Sequence, residues 1–152
     1  MADYILERRA WLPRPRAEVF EFFADPRNLE RLHPWWARPR WLAPPPPRLS
    51  AGAILDFRAA LPGRWRVIVR EFDPPYRFVD AQLIGPFARW EHRHRFREAE
   101  PGEGGTWVED RVTYRLPLGP LGRLLHALAA GRRIRRLFNH RDRRLRDLFG
   151  GG

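Results

Sequence analysis

A chain of 152 residues that is 43% hydrophobic and 13% aromatic has the length of one domain, 1–152, and enough apolar mass for a core, so neither a two-domain enzyme nor a disordered chain is expected. It has no cysteine and all 29 of its basic residues are arginine, which excludes a disulfide scaffold, thiolate chemistry, a lysine Schiff base and a P-loop phosphate clamp. Of the formal net charge of +11, residues 120–149 supply +7, from nine arginines against Asp142 and Asp147.

The N-terminus lacks the order of a signal peptide and no apolar run reaches about 18 residues, so a cytoplasmic protein is expected. Tyr4 to Leu12 reads as a strand stopped by Pro13. From Pro15 to Ala24, Val19, Phe22 and Phe23 recur at helical spacing behind prolines that suit a helix start. Asp25-Pro26 then supplies a cap and an N1 proline for a second short helix through Leu32, which His33-Pro34 ends. Trp35 to Leu42 is read as a strand, followed by the stiff connector Pro44 to Pro47.

From Gly52 the pattern is a β-meander: 53–61, 65–72, 76–84, 87–98 and 106–116, separated by Pro62-Gly63, Asp73 to Pro75, Gly85-Pro86 and 101–105. After Pro117 the period changes. Ile134, Leu137, Phe138, Leu145, Leu148 and Phe149 mark one stripe of a terminal helix, whereas Leu121, Leu124, Leu125 and Leu128 fall on a different side, which predicts a break or separate turn near Gly131.

The order β-α-α-β-β-β-β-β-β-α predicts an α+β helix-grip fold, in which a curved antiparallel sheet of about six or seven strands covers its apolar face with the long C-terminal helix and leaves an internal cavity. The residues Pro15 to Phe23, Asn28-Leu29, Leu32, Pro34 and Trp35 resemble the START-like SRPBCC superfamily. So do Phe78 to Gln82, Gly85 to Phe87, Trp90 to Phe96, Asp110 to Tyr114 and Leu116 to Arg123. Within the superfamily they are similar to bacterial polyketide cyclase/dehydrase-like ligand-binding domains. The resemblance covers nearly the whole chain. It implies a cavity between sheet and helix for a hydrophobic or amphipathic small molecule of lipid, polyketide or aromatic type. It does not imply one reaction.

Strand alternation says which side chains could see such a cavity. Trp90, His92, His94 and Phe96 share one face of their strand, and Val108, Asp110, Val112 and Tyr114 one face of the last. In the strand from Tyr76, the set Phe78, Asp80, Gln82 is favoured inward over Val79, Ala81, Leu83. Arg141 falls in the middle of the apolar stripe of the terminal helix, next to Phe138, and must meet a carboxylate such as Asp110 or Asp80, reach the rim, or hold a ligand anion.

The expected ligand-binding set is Trp90, His92, His94, Asp110, Tyr114, Phe138, Arg141, Asp80 and Gln82. His92, His94 and Asp110 are the candidates for proton transfer if the protein is a cyclase/dehydratase-type enzyme, for which no cofactor is expected. Two histidines at i and i+2 invite a metal, but the spacing requires no third ligand and no metal is expected. His33, His126 and His140 read as helix-end or surface residues. Trp35, Trp36, Trp41, Trp65 and Phe57 are divided between pocket wall and core. The basic helix opens a further class, an adaptor on an anionic membrane surface or another polyanion; no motif supports sequence-specific nucleic acid binding. An epimerase-like partner protein is conceivable, since related domains occur beside such proteins.

Overall fold

The computed structural model describes residues 3–59, 63–100 and 104–150. Strand β1 (Tyr4–Leu12) leads into helix α1 (Arg16–Ala24). The Asp25 carboxylate accepts from the Arg27 N–H and starts a 3-10 turn at Pro26–Asn28, which continues as α2 (Leu29–Leu32). The segment expected as a strand from Trp35 differs: it is a 3-10 turn, Trp35–Ala37, and only the two-residue strand β2 (Arg40–Trp41). Pro34 and Pro39 fix φ and remove donors on either side of the turn, so no longer ladder can form.

Strands β3 (Ile54–Arg58), β4 (Arg64–Asp73), β5 (Arg77–Ile84), β6 (Arg89–Glu98) and β7 (Thr106–Arg115) form the meander. The sheet has seven strands in the order β1-β7-β6-β5-β4-β3-β2, every neighbouring pair antiparallel. The expected strand end at 60–61, Pro62 and the turn residues 101–103 lie outside the described residues. β5 breaks register with β4 between Val69 and Glu71, and such irregularity bends a strand and increases its twist.

The inner face is filled by aromatic and aliphatic side chains. Phe20 of α1 meets Phe78 and Phe96 edge-on at 6.0 and 5.2 Å between centroids. From the other side comes the terminal helix, α3 (Gly119–Leu125), a π turn (His126–Ala130) and α4 (Gly131–Phe149). Of the two outcomes the change of stripe suggested near Gly131, the structure has the separate turn and not the break: the π turn just before Gly131 carries the phase shift without interrupting the backbone. α4 buries Ile134, Phe138, Arg141, Leu145 and Phe149 against the sheet. This is the helix-grip arrangement.

Candidate functional site

Five aromatic side chains and a cluster of charged groups meet between the inner sheet face and α4. The cavity there measures about 150 Å³ and is walled by Phe57, Trp65, Trp90, Leu137, Phe138 and, from the segment after α2, His33 and Trp36. Asp80, His92, His94 and Arg141 form its polar side. A space of this size holds roughly one benzene-sized ring, below the roughly 300–1,000 Å³ common for drug-sized ligands. A larger hollow, about 800 Å³, lies at the other face of the sheet. Its lining carries eight arginines against five carboxylates, some of them paired, as in Arg97–Glu109 at 3.0 Å and Arg111–Glu7 at 3.6 Å, so an excess of positive charge faces solvent there.

Adjacent strands bring the polar groups together. In the β5–β6 and β6–β7 ladders Asp80 lies opposite His92, and Asp110 opposite His94. His92 Nε2 donates to Asp110 Oδ1 at 2.8 Å, and His94 Nε2 donates to Asp80 Oδ2 at 2.9 Å. His94 Nδ1 lies 3.4 Å from Asp110 Oδ1. The two imidazoles stack at 3.7 Å, and Phe78 covers the far side of His94 at 4.0 Å.

These contacts push the two histidines apart in charge. Burial, then the neighbouring charge on His94, lowers the His92 pKa to about 4, so it is neutral. With Nε2 donating to a carboxylate, its Nδ1 keeps a lone pair. Burial opposes charge on His94 as well, but the Asp110 carboxylate close to its Nδ1 and the hydrogen bond to Asp80 outweigh it and raise that pKa. Burial would raise the Asp110 pKa too; Arg141, His92 and His94 together hold it well below the usual carboxylate range.

Arg141 is buried at 3% exposure. Its Nη2 is 3.9 Å from Asp110 Oδ1, an ion pair without a hydrogen bond. Nε and Nη2 of Arg141 have no partner among the described residues, nor has Nε1 of Trp65 on the same cavity. The Asp110 pairing expected for Arg141 is therefore electrostatic, and two guanidinium nitrogens remain unsatisfied. Buried donors in this state are uncommon and costly.

Other expected ligand contacts fall elsewhere. Asp110 stands behind the histidines and outside the cavity wall. Gln82 does not reach the cavity: its Nε2 donates to the Phe87 carbonyl and its Oε1 accepts the Phe87 N–H, which clamps the β5–β6 turn. Tyr114 also lies outside the wall, its hydroxyl donating to His126 Nε2 at 2.6 Å. His126 stacks on Tyr4 at 3.6 Å and is thus a link between helix and sheet rather than a bare surface group.

His33 does end α2, yet it also faces the cavity, its Nδ1 donating to the Ala37 carbonyl at 3.0 Å, and burial lowers its pKa to about 3. Pro34 was the available signal, because a residue before proline is held extended and so turns its side chain away from the helix it terminates. Of the tryptophans, Trp36, Trp65 and Trp90 wall the cavity, and Trp35 is exposed.

Asp80, His92 and His94 each place one ligand-type atom within 4.8 Å of the others and are the residues that could hold a metal ion. The imidazole Nε2 atoms are engaged with carboxylates, and Arg141 adds positive charge beside them, which favours the hydrogen-bonded network over a cation. The whole constellation can accept an oxygen-bearing ligand at Arg141, hold its apolar part among rings, and exchange a proton at His92.

Residues 12–141 match the family described as polyketide cyclase / dehydrase and lipid transport. The chain belongs to that family, and its fold is similar to that of a START superfamily protein. Among solved structures it is similar to a protein from Thermus thermophilus at 22% identity, covering 93% of this chain and 97% of that one with a TM-score of 0.69. A START superfamily protein from Mycobacterium smegmatis matches at 15% identity, covering 95% and 98%, TM-score 0.68. A nucleoside-diphosphate sugar epimerase from Corynebacterium glutamicum matches at 25% identity and TM-score 0.66, over 92% of this chain but 28% of the epimerase. No curated protein matches the chain in sequence.

Proposed function

We propose that this protein binds a small amphipathic molecule with a ring-sized apolar body and an oxygen-bearing head group, as a carrier, sensor or accessory protein. The observation that carries the reading is Arg141: a buried guanidinium with two nitrogens, Nε and Nη2, that have no partner among the described residues, in the wall of a largely apolar cavity. A carboxylate or carbonyl oxygen would satisfy those donors, and Phe57, Trp65 and Trp90 would cover the ring. Membership of a family described by cyclases, dehydrases and lipid transport is consistent with it. The match to one segment of a sugar epimerase supports an accessory role, with an epimerase-like partner as the corresponding candidate.

A second reading rests on the split between the histidines. Neutral His92 beside His94, whose pKa is raised, resembles an acid–base arrangement set by environment. On a bound ketone, His92 Nδ1 would take the proton α to the carbonyl while Arg141 stabilises the enolate oxygen that receives the electron pair. Return of that proton to a β-hydroxyl would release water, giving dehydratase chemistry without a cofactor.

Native mass spectrometry of the purified protein should show a co-purifying small molecule. Benzoate and toluene then separate the head-group contribution from the ring. Benzoate should raise the unfolding midpoint more than toluene in the wild type, and the difference should vanish in Arg141→Met, each variant being read against its own unliganded midpoint. Equal shifts for both compounds in the wild type would overturn the role given to Arg141.

A further inference from the structure

The least covered part of the molecule is the helical segment that precedes α4. Leu118, Leu121, Leu124, Leu125 and Leu128 are between 46% and 65% exposed. Four of them are spaced i, i+3, i+4 and i+7, so they form one stripe on α3 and the π turn. The other side of this segment is turned to the body of the protein: Gly122 is buried, and His126 is held by Tyr114 and Tyr4. The π turn then rotates the chain so that Ile134, Phe138 and Leu145 of α4 face the sheet. One continuous helical backbone thus carries an apolar stripe inside and a second one outside.

The charges carried by this helical stretch itself are of one sign. Between Pro117 and Arg141 the sequence has no carboxylate, and Arg123, Arg132, Arg133, Arg135 and Arg136 are all exposed. We propose that this face docks on an anionic lipid bilayer, with the leucines entering the boundary between head groups and acyl chains and the arginines contacting lipid phosphates.

Both parts of the surface are used only by that partner. A second copy of the chain would bury the leucines but would bring two sets of exposed arginines together across a self-complementary interface. A nucleic acid would neutralise the arginines and leave the leucines in water. A bilayer rich in acidic phospholipid takes both, and it requires no spanning segment; no helix of the described residues is long and apolar enough to cross a membrane.

The test is co-sedimentation of the full chain with vesicles of phosphatidylcholine alone and with vesicles in which a third of the lipid is phosphatidylglycerol. The wild type is expected to bind the anionic vesicles, weakening with salt, and to bind the neutral ones at least tenfold less. Arg135→Gln and Arg136→Gln should each cost roughly fivefold. The double variant Leu121→Asn with Leu128→Asn should lose at least tenfold while keeping the wild-type circular dichroism spectrum, because both side chains are already exposed. Absence of binding to anionic vesicles, or binding unaffected by the leucine changes, would overturn the proposal, the second result leaving a merely electrostatic polyanion contact. A dimer of the wild type in ultracentrifugation that the leucine changes dissociate would assign the face to a second copy.

Discussion

Arg141 and His92 carry the sharpest consequences of burial. Arg141 and Asp110 are both almost fully enclosed, 3.9 Å apart, and removing one partner of a buried ion pair typically costs about 3 to 5 kcal/mol. Because Asp110 also accepts from His92, Arg141→Met should fall at the lower end, about 3 kcal/mol by denaturant unfolding. A double-mutant cycle with Asp110→Asn should give a coupling above about 1 kcal/mol, and one below about 0.5 would reject the pair. His92 makes a pH prediction. Its pKa of about 4 in the fold lies below its ordinary value of 6.5, so the unfolded chain binds the proton more readily. The stability that neutral His92 contributes is complete above pH 6.5 and is lost as pH falls from there towards 4. Between pH 7 and pH 5 the loss is about 2 kcal/mol at 1.36 kcal/mol per unit. His33, lowered to about 3, acts in the same direction. His94, raised, acts in the other window, its contribution present below pH 6.5 and lost as pH rises through its folded value. Denaturation midpoints at pH 7 and pH 5 should show the drop, and His92→Gln should lessen it.

The decisive element is the helical run from Gly119 to Phe149, whose two stripes are served by one wide turn. Gly122 shows how tightly its first part is held: a Cβ built there would lie 2.1 Å from the Pro117 carbonyl oxygen. Helix propensity alone says that Gly122→Ala should stabilise by about 1 kcal/mol. Backbone overlap of this kind instead predicts a loss of about 1 to 3 kcal/mol, read as a lower denaturation midpoint. A gain would mean that α3 can move away from Pro117 freely. The element sequence was legible from periodicity: the meander runs, α1 and the stripe of α4 all follow patterns of two or 3.6 residues. The stretch from Trp35 to Leu42 was not, because its apolar residues mimic a strand while prolines on both sides remove the donors a strand needs.

At the scale of the whole molecule, a net charge of +11 without lysine sets the behaviour towards polyanions. Arginine contacts to phosphate give affinity that falls steeply with salt and does not depend on base sequence. Oligonucleotides of unrelated sequence should therefore bind with equal, weak affinity at physiological salt, and a fluorescence-anisotropy titration at two salt concentrations checks it. A strong preference for one sequence would contradict this and support a nucleic-acid adaptor. Within the same body of charge, the cavity excludes large ligands by volume: at about 150 Å³ it admits one ring without rearrangement of its walls.

The sequence by itself determined which face of β6 and of β7 turns inward, though not which face of β5, and therefore that Trp90, His92 and His94 share a side and that Arg141 lies on an apolar stripe. Those properties follow from local periodicity, which is fixed by backbone geometry. Tertiary structure alone decided which of these groups touch. Gln82 has the inward parity but spends its amide on the Phe87 backbone, and Tyr114 has it but turns to His126. His33 had no parity signal and reaches the cavity because the turn after α2 folds back over α4. The unsatisfied donors of Arg141 depend on a distance of 3.9 Å between helix and sheet, a quantity set by the packing of Phe138 and Leu145 and of the rings beneath them, which is decided by the complete core and by no segment alone.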